Sequence, residues 1–350
     1  MSMARFLRTA PQRGESPDGS SPGPPRLSRV NVGFGVHSFG ALAPYLGVPA
    51  RPIGDLGGAG VAVVGAPFDW GTSYRPGARF GPKAIREGDY LDADGARPRL
   101  ETGVDALAVL GVVDVGDVEL VPGYVEESLT RIREAVATIA RQGAVPVVLG
   151  GDHTITFPDA TAVADVYGHG EVALVHFDAH ADTGVSHHGK LYGHGTPMRR
   201  LIESGAVPGD RFVQIGLRGY WPPPDVVAWM AEHDMRTFPM SEILARGLTA
   251  VVDDAVEAAT ARAPRVFVSV DIDVVDPSMA PGTGTPEPGG IMPRELLDTV
   301  RRLGRELDVV GADVVEVAPG YDGPGETTSR LANRVVLALL DGMAERALAH

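Results

Sequence analysis

From about residue 60 onward, short apolar runs rich in β-branched residues alternate with longer stretches whose apolar positions recur every three or four residues. The short runs predict eight strands: Val61–Ala66, Val112–Val115, Val145–Leu149, Val172–Phe177, Arg211–Ile215, Met235–Phe238, Val266–Val270 and Val309–Val315. Among the longer stretches, Tyr124–Gln142 places Val125, Leu129, Ile132, Val136 and Ile139 on one helical face. A second helix is expected from Pro293, a residue favoured at a first helical position, and carries Leu296, Leu297, Val300 and Leu303. A third covers Thr327 to Leu348. Strands alternating with helices predict a mostly parallel sheet covered by helices on both faces. In such sheets ligands bind beyond the carboxyl ends of the strands, so the residues that follow each apolar run carry the functional reading.

No linker interrupts the pattern after residue 60, and residues 29–350 are expected to form a single domain. Residues 1–28 are crowded with Pro, Gly, Ser and Arg, Pro22, Pro24 and Pro25 among them, and predict a disordered tail. Arg5, Arg8 and Arg13 in an acid-poor start raise a transit peptide as a lesser reading, which the prolines oppose.

Three strand ends bear polar clusters. The run Val172–Phe177 stops abruptly at Asp178, His180 and Asp182. In a fully extended chain Asp178 and Asp182 would stand roughly 13 Å apart, too far to share a ligand, so the spacing demands a curl that the small Ala179 and Ala181 permit. After Val145–Leu149 come Gly150, Gly151, Asp152 and His153, where the glycines allow a tight turn that delivers His153 to the strand end. After Val266–Val270 come Asp271 and Asp273, two residues apart and on one face. Each cluster alone is weak: a solvated loop, a surface histidine or a strand-ending acid would account for it. Together they supply His153, Asp178, His180, Asp182, Asp271 and Asp273. Four hard carboxylates and two imidazoles suit Mn²⁺ better than a structural zinc, and their number exceeds what one open ion needs. A two-metal site uses them all.

Composition narrows the class. The chain has 350 residues and no cysteine, which removes disulfides, thiolate metal sites and Cys nucleophiles together. A formal net charge of −14 argues against sequence-independent nucleic-acid binding and is compatible with a cationic small-molecule substrate. No apolar run approaches the length needed to span a bilayer, so no membrane partner and a cytoplasmic location are expected. Gly57-Gly58-Ala59-Gly60 precedes a strand rather than following one, so it is a poor dinucleotide fingerprint.

The motifs G-G-D-H at 150–153, D-A-H-A-D at 178–182 and S-V-D-I-D at 269–273 resemble those of the ureohydrolases, the arginase and agmatinase family. The loops Ser73–Pro82 and Pro281–Gly290 and the Gly193-His194-Gly195-Thr196-Pro197 turn are similar to the agmatinase branch. The resemblance implies a three-layer α/β/α fold around an eight-stranded parallel sheet. It also implies two Mn²⁺ ions per chain, one held by His153, Asp178, Asp182 and Asp271 and the other by Asp178, His180, Asp271 and Asp273. Ni²⁺ is compatible with the same ligands. His194 matches the family's proton-shuttling histidine, Glu316 the carboxylate that orients the guanidinium, and Asp182 is counted with both the metal and the catalytic residues. A trimer or hexamer is the implied assembly.

The expected function is hydrolysis of a guanidino compound, agmatine first, to urea and an amine. Guanidinobutyrate, guanidinopropionate or free guanidine are alternative substrates, the last with nickel. Competing classes are a non-catalytic polyamine- or guanidino-binding protein and a mononuclear zinc deacylase. The loop Thr183–Tyr192, with His187, His188 and Lys190, leaves the substrate tail open. Trp221, beside Pro222–Pro224, is expected in a rigid exposed turn, with pocket lining as the alternative.

Overall fold

A computed structural model describes residues 30–350. The tail expected over residues 1–28 lies outside the described residues. One sheet of nine strands runs through the described chain: β1 (Val32–Gly33), β2 (Val61–Ala66), β3 (Val112–Val118), β4 (Val145–Gly150), β5 (Val172–Phe177), β6 (Phe212–Ile215), β7 (Arg236–Phe238), β8 (Arg265–Asp271) and β9 (Val309–Val315). Their order is β1-β3-β2-β4-β9-β8-β5-β6-β7, and every neighbouring pair is parallel except β1 with β3. The eight predicted strands are β2 to β9. The ninth, β1, is two residues long at the sheet edge, too short to leave a periodic signal.

Alternate residues of each central strand enter opposite layers of the core. Val61 and Val63, Val147 and Leu149, and Ala173, Val175 and Phe177 pack on one side of the sheet with the helices Leu248–Arg262, Pro293–Glu306 and Thr327–Ala349. Ala62 and Val64, Val148, and Val172 and Leu174 pack on the other with Val125–Ala140, Thr156–Tyr167 and Pro197–Glu203. Burial on both faces is why these strands read as continuous apolar runs.

Strand β3 runs three residues past its expected end at Val115, because Gly116 and Asp117 interrupt the apolar pattern there, while Asp114 and Asp117 both remain inside the protein. Arg86, on the helix Gly81–Glu87, bonds both: its Nε donates to Asp114 at 2.8 Å and its Nη1 to Asp117 at 2.7 Å. Strand β6 begins at Phe212 rather than Arg211, which belongs to the short 3₁₀ turn Gly209–Arg211. Among the described residues no helix is long and apolar enough to cross a membrane.

The strand order positions the site. The ends of β4, β5, β8 and β9 are spread along the chain from Gly150 to Val315, yet the sheet sets these four side by side as β4-β9-β8-β5.

Candidate metal centre

At the end of β4 the chain turns sharply through Gly150 and Gly151. A Cβ on Gly151 would lie 1.8 Å from the Phe68 carbonyl oxygen, so only glycine admits that approach. The turn passes into a 3₁₀ segment, His153–Ile155, capped by Asp152, whose carboxylate accepts from Thr154 N at 2.9 Å. His153 is thereby fixed with its Nδ1 facing inward. At the end of β5 the expected curl is present: Asp182 takes a left-handed backbone, φ 52°, sparsely populated for a non-glycine residue. Asp178 and Asp182 consequently stand 3.0 and 3.1 Å from the same atom, His153 Nδ1. Asp271, from the end of β8, lies 3.1 Å from it. His180 Nδ1 sits 3.0 Å from Asp273 and 3.4 Å from Asp178.

The six residues thus form two adjoining groups that share Asp178. Potential ligand atoms of His153, His176, Asp178 and Asp182 lie within 4.8 Å of one another, as do those of Asp178, His180 and Asp273. All four aspartates are buried, and among the described residues no Lys or Arg side chain bonds any of their carboxylates. Buried carboxylates without cationic partners are costly. The donor set therefore fits divalent cations, which supply the missing positive charge.

The electrostatics agree. Burial opposes charge on His180, but Asp273 and Asp178 raise its pKa to about 12. Burial also opposes charge on Asp178, yet His176, His153 and His180 hold its carboxyl well below the usual range. Burial, with the charges of Asp273 and Asp178, pushes Asp271 well above that range. Such a cluster binds cations by releasing protons.

His176, inside the apolar run of β5, also joins this neighbourhood. It lies two residues before Asp178 and on the same strand face, which the period of two already implied. The side-chain amide of Gln214 donates to the Ala181 carbonyl at 2.8 Å and to His176 Nδ1 at 3.0 Å. That assignment leaves the His176 proton on Nε2, from which it donates to Asp178 Oδ2 at 2.8 Å. His176 therefore orients Asp178 rather than facing the site as an acceptor.

Beside the cluster opens a cavity of about 280 Å³ lined by His180, Asp182, His194, Trp221, Glu316 and Ser186, among others. His194 Nδ1 bonds Glu316 Oε1 at 3.0 Å, and its Nε2 meets Ser73 Oγ at 2.7 Å. Burial disfavours the imidazolium, but Glu316, with Asp152 and Asp182, raises the His194 pKa to about 9. Glu316 follows β9 in a left-handed conformation, φ 62°, and its Oε1 also accepts from His153 N at 2.9 Å. Its other oxygen, Oε2, is buried and has no hydrogen-bond partner among the described residues. Gly284 leaves room there, since a Cβ on it would come within 3.1 Å of Oε2. Trp221 is 38% exposed and also lines the cavity, so both readings of its turn hold in part. His187 is half-buried in the lining, whereas His188 and Lys190 are exposed and outside it.

The family model described as the arginase family matches residues 59–341. The chain belongs to the arginase family. It is 41% identical to proclavaminate amidinohydrolase of Streptomyces clavuligerus, over 81% of this chain and 88% of that protein. Against mitochondrial agmatinase of Gallus gallus the identity is 40%, over 91% and 92% of the two chains. Against guanidinobutyrase of Pseudomonas aeruginosa it is 36%, over 88% and 95%. The solved proclavaminate amidinohydrolase superposes with a TM-score of 0.79 at 39% identity, over 88% of this chain and 98% of that one. A formiminoglutamase of Trypanosoma cruzi, solved with Mn²⁺, superposes with a TM-score of 0.73 at 26% identity, over 82% and 94%. As an arginase-family member, the protein is a hydrolase of carbon–nitrogen bonds in guanidino compounds.

Proposed function

We propose that this arginase-family hydrolase converts agmatine and water to putrescine and urea at a dinuclear Mn²⁺ centre. His153, Asp178, Asp182 and Asp271 would hold one ion, and Asp178, His180, Asp271 and Asp273 the other. Such a pair of ions, when bound, lowers the pKa of a water and sets it against the guanidinium carbon.

The observation that carries the reading is the buried, unpartnered Glu316 Oε2 at the cavity wall. A guanidinium offers paired N–H donors to such a carboxylate and would satisfy it. Glu316 then holds the cation with its carbon toward the aspartate cluster. His194, anchored to the other oxygen of Glu316, delivers a proton to the departing alkylamine nitrogen as its bond to carbon breaks. Water contributes the oxygen of urea.

The tail assignment rests on charge. Among the described residues the cavity lining includes no Lys or Arg, and Lys190 lies outside it. Burial and the neighbouring His194 lower the pKa of His187, which keeps that ring neutral. A carboxylate tail would thus meet no fixed cation, whereas an ammonium tail needs none. A guanidino-acid substrate is the second reading: guanidinobutyrase is among the relatives, and His187 is the lining group that could turn to a carboxylate. Urea release measured across agmatine, guanidinobutyrate, guanidinopropionate, arginine and guanidine separates the two. Turnover of a guanidino acid with none of agmatine would overturn the first.

A further inference from the structure

The loop that follows β2 reaches the cavity beside His194 and is braced along its length. Gly71 N donates to Asp152 Oδ2 at 2.8 Å, and His194 N donates to the Gly71 carbonyl at 3.0 Å. Asp69 closes the loop by accepting from Gly77 N at 2.9 Å and from Arg79 Nε at 2.6 Å. A Cβ on Gly71 would lie 2.0 Å from Thr154 Oγ1, so glycine is required for this approach. The bracing sets Ser73 against the imidazole: its N donates to His194 Nε2 at 3.0 Å, and its Oγ lies 2.7 Å from the same nitrogen. Ser73 is exposed and lines the cavity.

A backbone N–H only donates, so Nε2 receives it through the lone pair, and the ring proton lies on Nδ1, where it donates to Glu316 Oε1 at 3.0 Å. Both nitrogens of His194 are thereby engaged, and neither is left to meet a substrate directly. Ser73 Oγ differs. A hydroxyl has one proton and two lone pairs, so while its proton points to Nε2 it still accepts from the cavity. The neighbours pull the ring in opposite directions: the Glu316 carboxylate favours an imidazolium, and the fixed Ser73 N–H opposes a proton on Nε2. A ring held in this way passes between neutral and charged forms at low cost, as proton transfer in both directions demands.

We infer that the Ser73 hydroxyl carries the proton between His194 Nε2 and the substrate. The inference rests on the reading of His194 as the proton carrier and names the atom through which it acts. As water adds to the guanidinium carbon, the proton it releases passes to Ser73 Oγ while the hydroxyl's own proton passes to Nε2. When the adduct collapses, the transfers reverse. Nε2 returns its proton to Oγ, and Oγ–H protonates the departing alkyl nitrogen, which takes the electron pair of the broken carbon–nitrogen bond. The adduct's hydroxyl proton is lost to solvent as the urea carbonyl forms, and serine and histidine end as they began.

The test is steady-state kinetics of Ser73→Ala, Ser73→Thr, His194→Ala and the double variant Ser73→Ala with His194→Ala. The substrate is whichever of agmatine and guanidinobutyrate the wild type turns over, and bound metal is measured in each variant. Ser73→Ala keeps the backbone N–H and loses only the hydroxyl. Its kcat should fall by about 10²-fold, the lower end for an acid–base group, with KM within about threefold and metal content unchanged. Ser73→Thr restores a hydroxyl and should recover most of that loss. Groups that act in one step are not additive, so the double variant should be no slower than His194→Ala. Wild-type kcat in Ser73→Ala, Ser73→Thr as slow as Ser73→Ala, or losses that multiply in the double variant would each overturn the relay. Wild-type turnover in His194→Ala would instead sink the reading of His194 on which the relay stands.

Discussion

His194 Nδ1 and Glu316 Oε1 stand 3.0 Å apart at the cavity wall, and the second oxygen of Glu316 meets no donor among the described residues. In the proposed reaction this one carboxylate holds the proton carrier and keeps an oxygen for the substrate. His194→Ala should keep both metals and lose about 10²–10⁴-fold in kcat, the range for a general acid–base group. Metal analysis beside steady-state kinetics checks this. Loss of metal in that variant would make His194 a ligand, and unchanged turnover would remove it from the reaction.

Asp271 lies 3.1 Å from His153 Nδ1, and its Oδ1 accepts from Asp273 N at 2.8 Å. In the proposed dinuclear centre Asp271 serves both ions, so Asp271→Asn should reduce bound metal and abolish nearly all turnover. Elemental analysis of the active wild-type protein should give two divalent ions per chain. Chelation should abolish activity and Mn²⁺ should restore it. One zinc per active chain would exclude the dinuclear arrangement.

Substrate tail recognition makes a third prediction. Lys190 is exposed and outside the cavity, so Lys190→Ala should leave agmatine hydrolysis unchanged. A cation over an indole face contributes about 0.5–2 kcal/mol, so Trp221→Leu should raise KM for agmatine by about 2–30-fold with kcat little affected. If Lys190→Ala abolished hydrolysis of guanidinobutyrate while agmatine was never a substrate, the tail assignment would be wrong.

Stability offers a fourth. The Arg86 side chain is 2% exposed and bonds Asp114 and Asp117, both fully buried. Arg86→Met leaves two carboxylates without a cation and should destabilise the fold by about 3–5 kcal/mol. Thermal or denaturant unfolding measures this. A variant as stable as the wild type would mean that the two acids find protons at little cost.

The strands, the alternation that makes the sheet parallel and the metal-type residues at three strand ends were legible in the chain itself. Each rests on local physics: β-branched apolar runs, period-two placement, and the cost of burying carboxylates without a cation. The sequence also demanded the curl after Phe177, since Asp178 and Asp182 cannot meet in an extended chain. What it left open depends on strand order. Local patterns contain no information on which strands lie side by side, and only the packed sheet set β4, β9, β8 and β5 together. The packed sheet and its loops brought Glu316 to His194, and strand adjacency placed Asp313 in register with Ser269. The same limit hid Asp117, which lies past the expected strand end and is neutralised, with Asp114, by Arg86 from a separate helix. His187 and Lys190 look equivalent as loop residues, and the fold sets one in the cavity wall and the other in solvent. That difference arises because loop side chains are directed by the elements packed around them, not by their neighbours in sequence.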